Sequence, residues 1–266
     1  MKRWFPGLFI LISLFCFQNA AFAIPANEII KKVGIDQKLD AQIPLGLEFR
    51  DENGAAVTLG KYFGTRPVVL NLVYYQCPML CGFVLNGLGK ALRVLKFEPA
   101  REFEIISVSI DPKETPELAR AKKEKYVHVS GKAGAQEGWH FLTGPESSIK
   151  ALAGAVGFRY EYDAQSGQYA HAGGIMVLTP QGRVARYFYG IEYSPRDIRF
   201  ALIEAAKGKI GTLADQLLLL CFHYDPMSGK YGFWIMNVLR AGGIATLIAL
   251  GLFITHMVNR ETHTAV

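Results

Sequence analysis

Two cysteines lie four residues apart where the chain passes from a largely apolar run into a mixed sequence. Cys77 and Cys81 follow the stretch 67–73, whose composition is typical of a buried strand. The residues after them, 80–95, place apolar side chains at helical spacing. Positions i and i+4 are one helical turn apart, so both sulfurs can face the same way, and a helix start favours thiolate. Such a pair either binds a soft metal ion or cycles between dithiol and disulfide.

The centre of the chain alternates between strand-like and helix-like segments. Predicted strands span 67–74, 103–110, 139–143, 175–178 and 184–189, and predicted helices span 80–95, 115–127, 146–156 and 194–206. This alternation predicts an α/β domain in which helices cover a central sheet. A cysteine pair directly after the first core strand indicates a thioredoxin-like fold.

Residues 1–23 have the pattern of a secretory signal peptide. Lys2 and Arg3 supply positive charge, an apolar run follows, and Ala21-Phe22-Ala23 has the small-x-small pattern of a cleavage site. The apolar run is shorter than the roughly 20 residues of a bilayer span. We therefore expect cleavage and export of the mature chain; an uncleaved anchor is the alternative.

A second apolar segment, 233–258, lies near the C-terminus. It is long enough to cross a bilayer as a transmembrane helix, and its stretch 241–255 carries no charged residue. If the signal is used, a thioredoxin-like domain at 24–210 and a juxtamembrane segment at 211–232 face the periplasm, and a tail at 259–266 is cytoplasmic. We expect a single-pass, C-terminal anchor in the inner membrane; a buried core helix is the alternative.

The cysteine count and the charge narrow the functional classes. With Cys16 in the signal peptide, Cys77, Cys81 and Cys221 remain, and this odd number indicates at least one functional thiol. Without Lys2 and Arg3 the 29 basic residues fall to 27, against 23 acidic ones, and they form no cluster. Nucleic-acid binding is therefore not expected.

Four stretches in a specific order carry a resemblance to a known family. They are the strand and cysteine pair 68–81, the strand and loop 106–117, the segment 141–144, and His171 with the strand and turn 175–182. In these stretches, which cover about residues 45–205, the sequence resembles the SCO/SenC family. Its members are thioredoxin-like, membrane-anchored copper proteins involved in cytochrome c oxidase assembly.

The resemblance implies a copper site made of Cys77, Cys81 and His171. Thiolates select Cu(I), and an imidazole also suits Cu(II), so the implied site holds copper in both oxidation states. The implied partner is subunit II of cytochrome c oxidase, or another copper-site protein, which would receive copper by ligand exchange. From the residues alone, a structural disulfide and a zinc half-site remain alternatives for the two cysteines.

The same cysteine pair also suits redox chemistry. Cys77 and Cys81 as a redox-active pair would serve a periplasmic thiol-disulfide reductase that keeps copper-site cysteines reduced. A redox or copper sensor is a third interpretation. The sequence leaves open whether the protein is an enzyme.

A separate group of copper-capable side chains precedes the C-terminal apolar segment. Cys221, His223 and Met227 are all potential copper ligands. They predict either an accessory metal site or a docking segment. The alternative is an ordinary juxtamembrane turn in which Cys221 is a buried thiol.

Overall fold

The computed structural model describes residues 32–77, 80–164, 166–210, 224–225, 230–231 and 233–264, with only the backbone for 80–81, 224–225, 230–231, 233–236, 238–239 and 255–264. The predicted signal peptide and most of the predicted juxtamembrane segment lie outside these ranges. The domain boundaries therefore remain predictions.

The strands of the described residues are two to six residues long. They are β1 (Gly34–Ile35), β2 (Glu48–Arg50), β3 (Ala56–Thr58), β4 (Val68–Val73), β5 (Glu104–Ser109), β6 (Trp139–Leu142), β7 (Phe158–Asp163), β8 (Gln168–His171), β9 (Gly174–Leu178), β10 (Val184–Tyr189), β11 (Tyr224–Asp225) and β12 (Lys230–Tyr231).

Helices separate the main strands. They are α1 (Leu80–Val94), α2 (Pro116–Ser130), the four-residue α3 (Ala135–Gly138), α4 (Glu146–Ala155), α5 (Pro195–Ala206) and α6 (Phe233–Thr264), with a 3-10 turn at Leu59–Tyr62.

A five-stranded sheet in the order β10-β9-β4-β5-β6 forms the centre of the domain. Strands β4, β5 and β6 are parallel, whereas β9 is antiparallel to β4 and β10 is antiparallel to β9. Every residue of β4 and β5 is buried, as expected for parallel strands covered on both faces. The predicted α/β, thioredoxin-like sheet is confirmed, and it places the turn after β4 at the carboxyl edge of the parallel strands.

Local capping chemistry explains where two of the helices begin. The Thr115 side chain accepts a hydrogen bond from the Leu118 N–H, and Pro116 occupies the first position of α2. Ser194 and Pro195 repeat this arrangement at the start of α5. Helix α2 continues to Ser130, three residues beyond its predicted end, because the left-handed residue that ends it is Gly131.

The hairpin of β7 and β8 was not predicted from the sequence. It pairs Tyr160 with His171 and Tyr162 with Tyr169, and β1 adds a third strand on the other side of β7. His171 is therefore the last residue of a strand rather than part of a loop before β9. The hairpin stands apart from the central sheet and carries His171 on its final residue.

Helix α6 covers the predicted C-terminal anchor. It runs without interruption for 32 residues, from Phe233 to Thr264. Among the helices of the described residues, none combines the length and the apolar character of a membrane span.

Candidate metal centre

The turn that carries Cys77 follows β4, a strand that is buried along its whole length. Strand β4 ends at Val73, and the Cys77 N–H then donates to the Tyr74 carbonyl oxygen at 3.1 Å, which closes a tight turn. Cys77 is partly buried and packs against the hydrophobic core. Its sulfur therefore lies at the edge of the domain, where a ligand or a partner can reach it.

Cys81 is the second residue of α1. Backbone N–H groups in the first turn of a helix have no partner within the helix, and they stabilise negative charge. Thiolate formation at this position is thereby favoured. Pro78 and Met79, between the cysteines, and the Cys81 side chain lie outside the described part of the structure.

A buried carboxylate accepts hydrogen bonds from the backbone of the turn that leads to Cys77. Glu114, in the loop between β5 and α2, accepts hydrogen bonds from the N–H groups of Tyr75 at 2.9 Å and Gln76 at 2.6 Å. This role of Glu114 was not predicted from the sequence. An acidic residue in the loop after the strand adjacent to β4 is the only local signal for it, because the contact joins positions 38 and 39 residues apart.

His171 is buried, with 7% of its surface exposed, and its ring lies 6.1 Å from that of Phe158. Its Nδ1 atom lies 2.9 Å from the carbonyl oxygen of Ala172. Since a carbonyl oxygen only accepts, Nδ1 carries a proton, and the lone pair of the neutral ring is then on Nε2. Histidine ligands of metals are commonly held in this way, with one ring N–H on a carbonyl and the other nitrogen facing the metal.

Aromatic side chains surround His171 on the hairpin. Tyr169 contacts Tyr160 and Tyr162, with ring centroids 5.9 and 5.1 Å away, and Tyr160 in turn contacts Phe158. Burial raises the pKa of Tyr160 to about 12 and also raises the pKa of Tyr169. Both phenols therefore stay neutral near pH 7, and the hairpin that carries His171 presents uncharged aromatic rings around it in sequence, of which Phe158 contacts the imidazole.

Two contacts hold the segment around His171 against the elements on either side of the cysteine pair. Tyr169 packs against Tyr74, the first residue of that turn. Gly173 approaches α1 so closely that a Cβ atom placed on it would lie 3.4 Å from Val84 Cγ2. The segment holding His171 is thus fixed against both the end of β4 and the first turns of α1. The composition of the ligand set remains a prediction.

The described side chains, which omit Cys81, contain no group of three His, Cys, Asp or Glu residues that could hold a metal ion. The donors that are described still fit copper. Cys77 offers a soft sulfur at the edge of the core, and His171 offers an oriented imidazole nitrogen. The predicted accessory ligands Cys221, His223 and Met227 lie outside the described residues.

Comparison with known proteins agrees with this architecture. The sequence profile of the SCO1/SenC family matches residues 37–206. No curated protein sequence matches the chain. Among solved structures, a protein of Aquifex aeolicus VF5, provisionally described as an electron transfer protein, is 25% identical, with a TM-score of 0.57 and coverage of 65% of this chain and 96% of that one.

Two further solved structures share the fold. Arabidopsis thaliana ScoI, solved with copper bound, is 15% identical, with a TM-score of 0.50 and coverage of 62% of this chain and 99% of that one. BsSco, described as having a disulfide switch and as a member of the Sco family of cytochrome c oxidase assembly proteins, is 21% identical, with a TM-score of 0.51 and coverage of 66% and 99%. The family profile spans well over half of the present chain, and the chain therefore belongs to the SCO1/SenC family.

Proposed function

We propose that the protein binds copper through Cys77, Cys81 and His171 and supplies it to a copper-site protein such as subunit II of cytochrome c oxidase. The orientation of His171 carries this proposal. Its Nδ1 proton is held by the Ala172 carbonyl oxygen, so Nε2 is the nitrogen presented for a metal, on a segment packed against the cysteine turn. Family membership, and copper in the ScoI structure, support the same conclusion.

The chemistry of the donor set explains how copper can be both held and released. Two thiolates favour Cu(I), and the imidazole extends the site to Cu(II). Cys77 is partly buried rather than enclosed. An incoming thiolate or imidazole of a partner can therefore replace the ligands one at a time, without the domain unfolding.

Transfer of copper to a recipient tests this function. The reduced full-length protein is loaded with one equivalent of Cu(I) and mixed with a metal-free copper-site domain of oxidase subunit II, and copper in each protein is measured after separation. We expect transfer from the wild type and loss of both loading and transfer in Cys77→Ser. His140→Ala serves as the control, since His140 Nε2 pairs with Glu104. No copper uptake by the reduced wild type would contradict the proposal.

A thiol-disulfide reductase is the second candidate function, and the position of Cys81 in the first turn of α1 favours it. A thiolate of the pair would attack a partner's disulfide and release one partner thiolate, leaving a mixed disulfide. The other cysteine would then attack the mixed disulfide and release the second partner thiolate. The partner gains two electrons, and the Cys77–Cys81 pair becomes the disulfide.

His171 distinguishes the two functions. Disulfide exchange needs chiefly the two cysteines, whereas copper delivery should also need the imidazole. We expect His171→Ala to keep disulfide reduction and to lose Cu(II) binding and oxidase maturation. Full maturation with His171→Ala would favour the reductase over copper delivery.

We also propose that the domain faces the periplasm, anchored in the inner membrane by 233–258. The support is a continuous helix in which the apolar side chains of 241–254 are exposed; Leu247 is 71% and Leu252 66% exposed. Burying such side chains in lipid is favourable by about 1.5–3 kcal/mol each. Alkaline phosphatase fused after residue 210 should be active, and the same enzyme fused after residue 262 should be inactive. The reverse pattern would exclude this topology.

Cys221, His223 and Met227 are proposed as an accessory copper site beside that anchor, on the basis of their residue types. The ratio of bound copper to protein tests this. A ratio above one in the wild type should fall to one in the double variant Cys221→Ser/His223→Ala. A wild-type ratio of one would exclude a second site.

A further inference from the structure

Glu114 is an unusually placed carboxylate. It is 7% exposed, and it lies under the Cys77 turn rather than at the protein surface. Its Oε2 atom accepts from the Tyr75 N–H and the Ser109 hydroxyl, and its Oε1 atom accepts from the Gln76 N–H. One side chain thus satisfies two consecutive backbone N–H groups just beyond the end of β4.

The donors that reach Glu114 within the described structure are uncharged. Burial raises the pKa of Glu114, the hydrogen bonds oppose this effect, and the nearby Asp111 carboxylate adds to the increase. A buried carboxylate held by neutral donors is costly to maintain. A neutral acceptor could make the same hydrogen bonds with a smaller loss of solvation free energy. The presence of a carboxylate here therefore suggests a role connected with the adjacent Cys77 turn.

The turn above Glu114 is fixed from two sides. The Tyr75 hydroxyl lies 2.8 Å from the Ser107 carbonyl oxygen and 3.0 Å from that of Leu142, so this side chain is anchored in the core. The Tyr75 N–H is anchored on Glu114. The Gln76 N–H is bonded to Glu114, and Cys77, the next residue, donates its own N–H to the Tyr74 carbonyl oxygen. The Glu114 carboxylate therefore fixes the backbone that leads directly into Cys77, and so contributes to the position of the Cys77 sulfur.

We propose that Glu114 is a positioning residue for the copper and redox site: its carboxylate clamps the backbone at Tyr75 and Gln76 and thereby fixes where Cys77 presents its sulfur. This role rests on the proposed function of Cys77 as a ligand or redox thiol. Removing groups that orient metal ligands commonly lowers metal affinity about 10- to 100-fold.

Three variants of the full-length protein test the clamp. Glu114→Gln keeps the shape of the side chain but turns one acceptor into a donor that faces a backbone N–H. Ser109→Ala removes one donor to Glu114 without changing the charge. Glu117→Gln is the matched control, since Glu117 is an exposed acid in the first turn of α2, three residues away.

Two measurements report on Cys77 itself. The first is the Cu(II) complex, through its dissociation constant and the energy of its thiolate-to-copper charge-transfer band. The second is the rate at which iodoacetamide alkylates Cys77 in the copper-free, reduced protein, followed by mass spectrometry of the Cys77 peptide. We expect Glu114→Gln to weaken Cu(II) binding about 10- to 100-fold, to shift the band and to change the alkylation rate, with Glu117→Gln unchanged.

Every outcome bears on the clamp or on the proposed function. A folded Glu114→Gln protein with the wild-type band, affinity and alkylation rate would overturn the clamp. If Glu114→Gln fails to fold by circular dichroism, Ser109→Ala decides by the same two measurements, with a smaller expected change in the same direction. If the wild type binds no copper, the proposed copper function fails, and the alkylation rates alone decide whether Glu114 positions Cys77.

Discussion

The ring of Tyr169 meets the ring of Tyr74 edge-on, with the two centroids 5.7 Å apart. Tyr169 lies two residues before His171 on β8, and Tyr74 lies three residues before Cys77 after β4. His171 belongs to the sheet of β1, β7 and β8, whereas Cys77 follows a strand of the central sheet, and this aromatic pair is one of the contacts that hold the two sheets together. The geometry of the proposed site therefore depends on a contact between two residues that are not ligands.

Replacing Tyr169 should weaken copper binding without unfolding the domain. An aromatic pair contributes about 0.5–1.5 kcal/mol beyond its buried area, and 1.4 kcal/mol is a tenfold change in affinity. We expect Tyr169→Leu to lower Cu(II) affinity about 2- to 10-fold in a competition titration. Tyr189→Leu, a partly exposed tyrosine on β10, is the control and should bind as the wild type does. Equal affinities in all three proteins would show that the contact does not support the site.

Helix α1, which begins beside the cysteines, packs closely on the segment after β10. A Cβ atom on Gly87 would lie 1.8 Å from the Ile191 carbonyl oxygen, so Gly87→Ala forces the backbone apart. We expect a loss of at least about 1–3 kcal/mol in the free energy of unfolding by urea. Gly154→Ala in α4, where the new methyl meets nothing within 4 Å, should gain up to about 1 kcal/mol. A neutral Gly87→Ala would contradict the close packing of α1.

A buried ion pair ties the β2–β3 turn to α2. Lys123 Nζ donates to Glu52 Oε1, and the side chains of both residues are 8% exposed. The other oxygen of Glu52 accepts from the Phe141 N–H at 3.1 Å. Lys123→Met leaves the carboxylate buried without its cation, and such changes cost about 3–5 kcal/mol.

Urea unfolding of Lys123→Met measures that cost. The double variant Glu52→Gln/Lys123→Met removes both charges and should recover part of the loss. A loss below about 1 kcal/mol in the single variant would mean that Glu52 reaches water once Lys123 is gone.

The same carboxylate gives a pH dependence of known sign. Burial acts to raise the pKa of Glu52, but the hydrogen bonds from Lys123 and the backbone and the charge of Lys123 outweigh it and hold the pKa below 4.5. A carboxyl whose pKa is lowered by folding stabilises the fold above its unfolded pKa and loses that contribution as the pH falls through the folded value. We expect the wild type to lose more stability between pH 5 and pH 3 (about the range around the ordinary glutamate pKa) than Glu52→Gln does. Parallel stability curves for the two proteins would refute this.

Local chemistry made several elements predictable from the sequence. A capping side chain followed by proline marked the starts of α2 and α5, because capping and the fixed φ of proline act within one turn. Strand β4 was predictable because a parallel strand buried on both faces consists almost entirely of apolar residues, and β5 was predictable because it is rich in Ile and Val. The cysteine spacing likewise located the turn after β4.

The hairpin and the clamp lie beyond such local rules. In β7, Phe158, Tyr160 and Tyr162 alternate with charged residues, which is a strand signal, but the strand is only half buried and gives no long apolar run. The contact between Glu114 and the Cys77 turn joins two loops that the sheet brings together. No spacing in the sequence encodes it.

X-ray absorption at the copper edge of the Cu(I)-loaded, full-length protein tests the proposed ligand set most directly. We predict two sulfur ligands and one nitrogen ligand in the wild type and in His140→Ala, loss of the nitrogen in His171→Ala, and loss of one sulfur in Cys77→Ser and in Cys81→Ser. An unchanged copper environment in His171→Ala or in Cys77→Ser would contradict the assignment of these residues as one site.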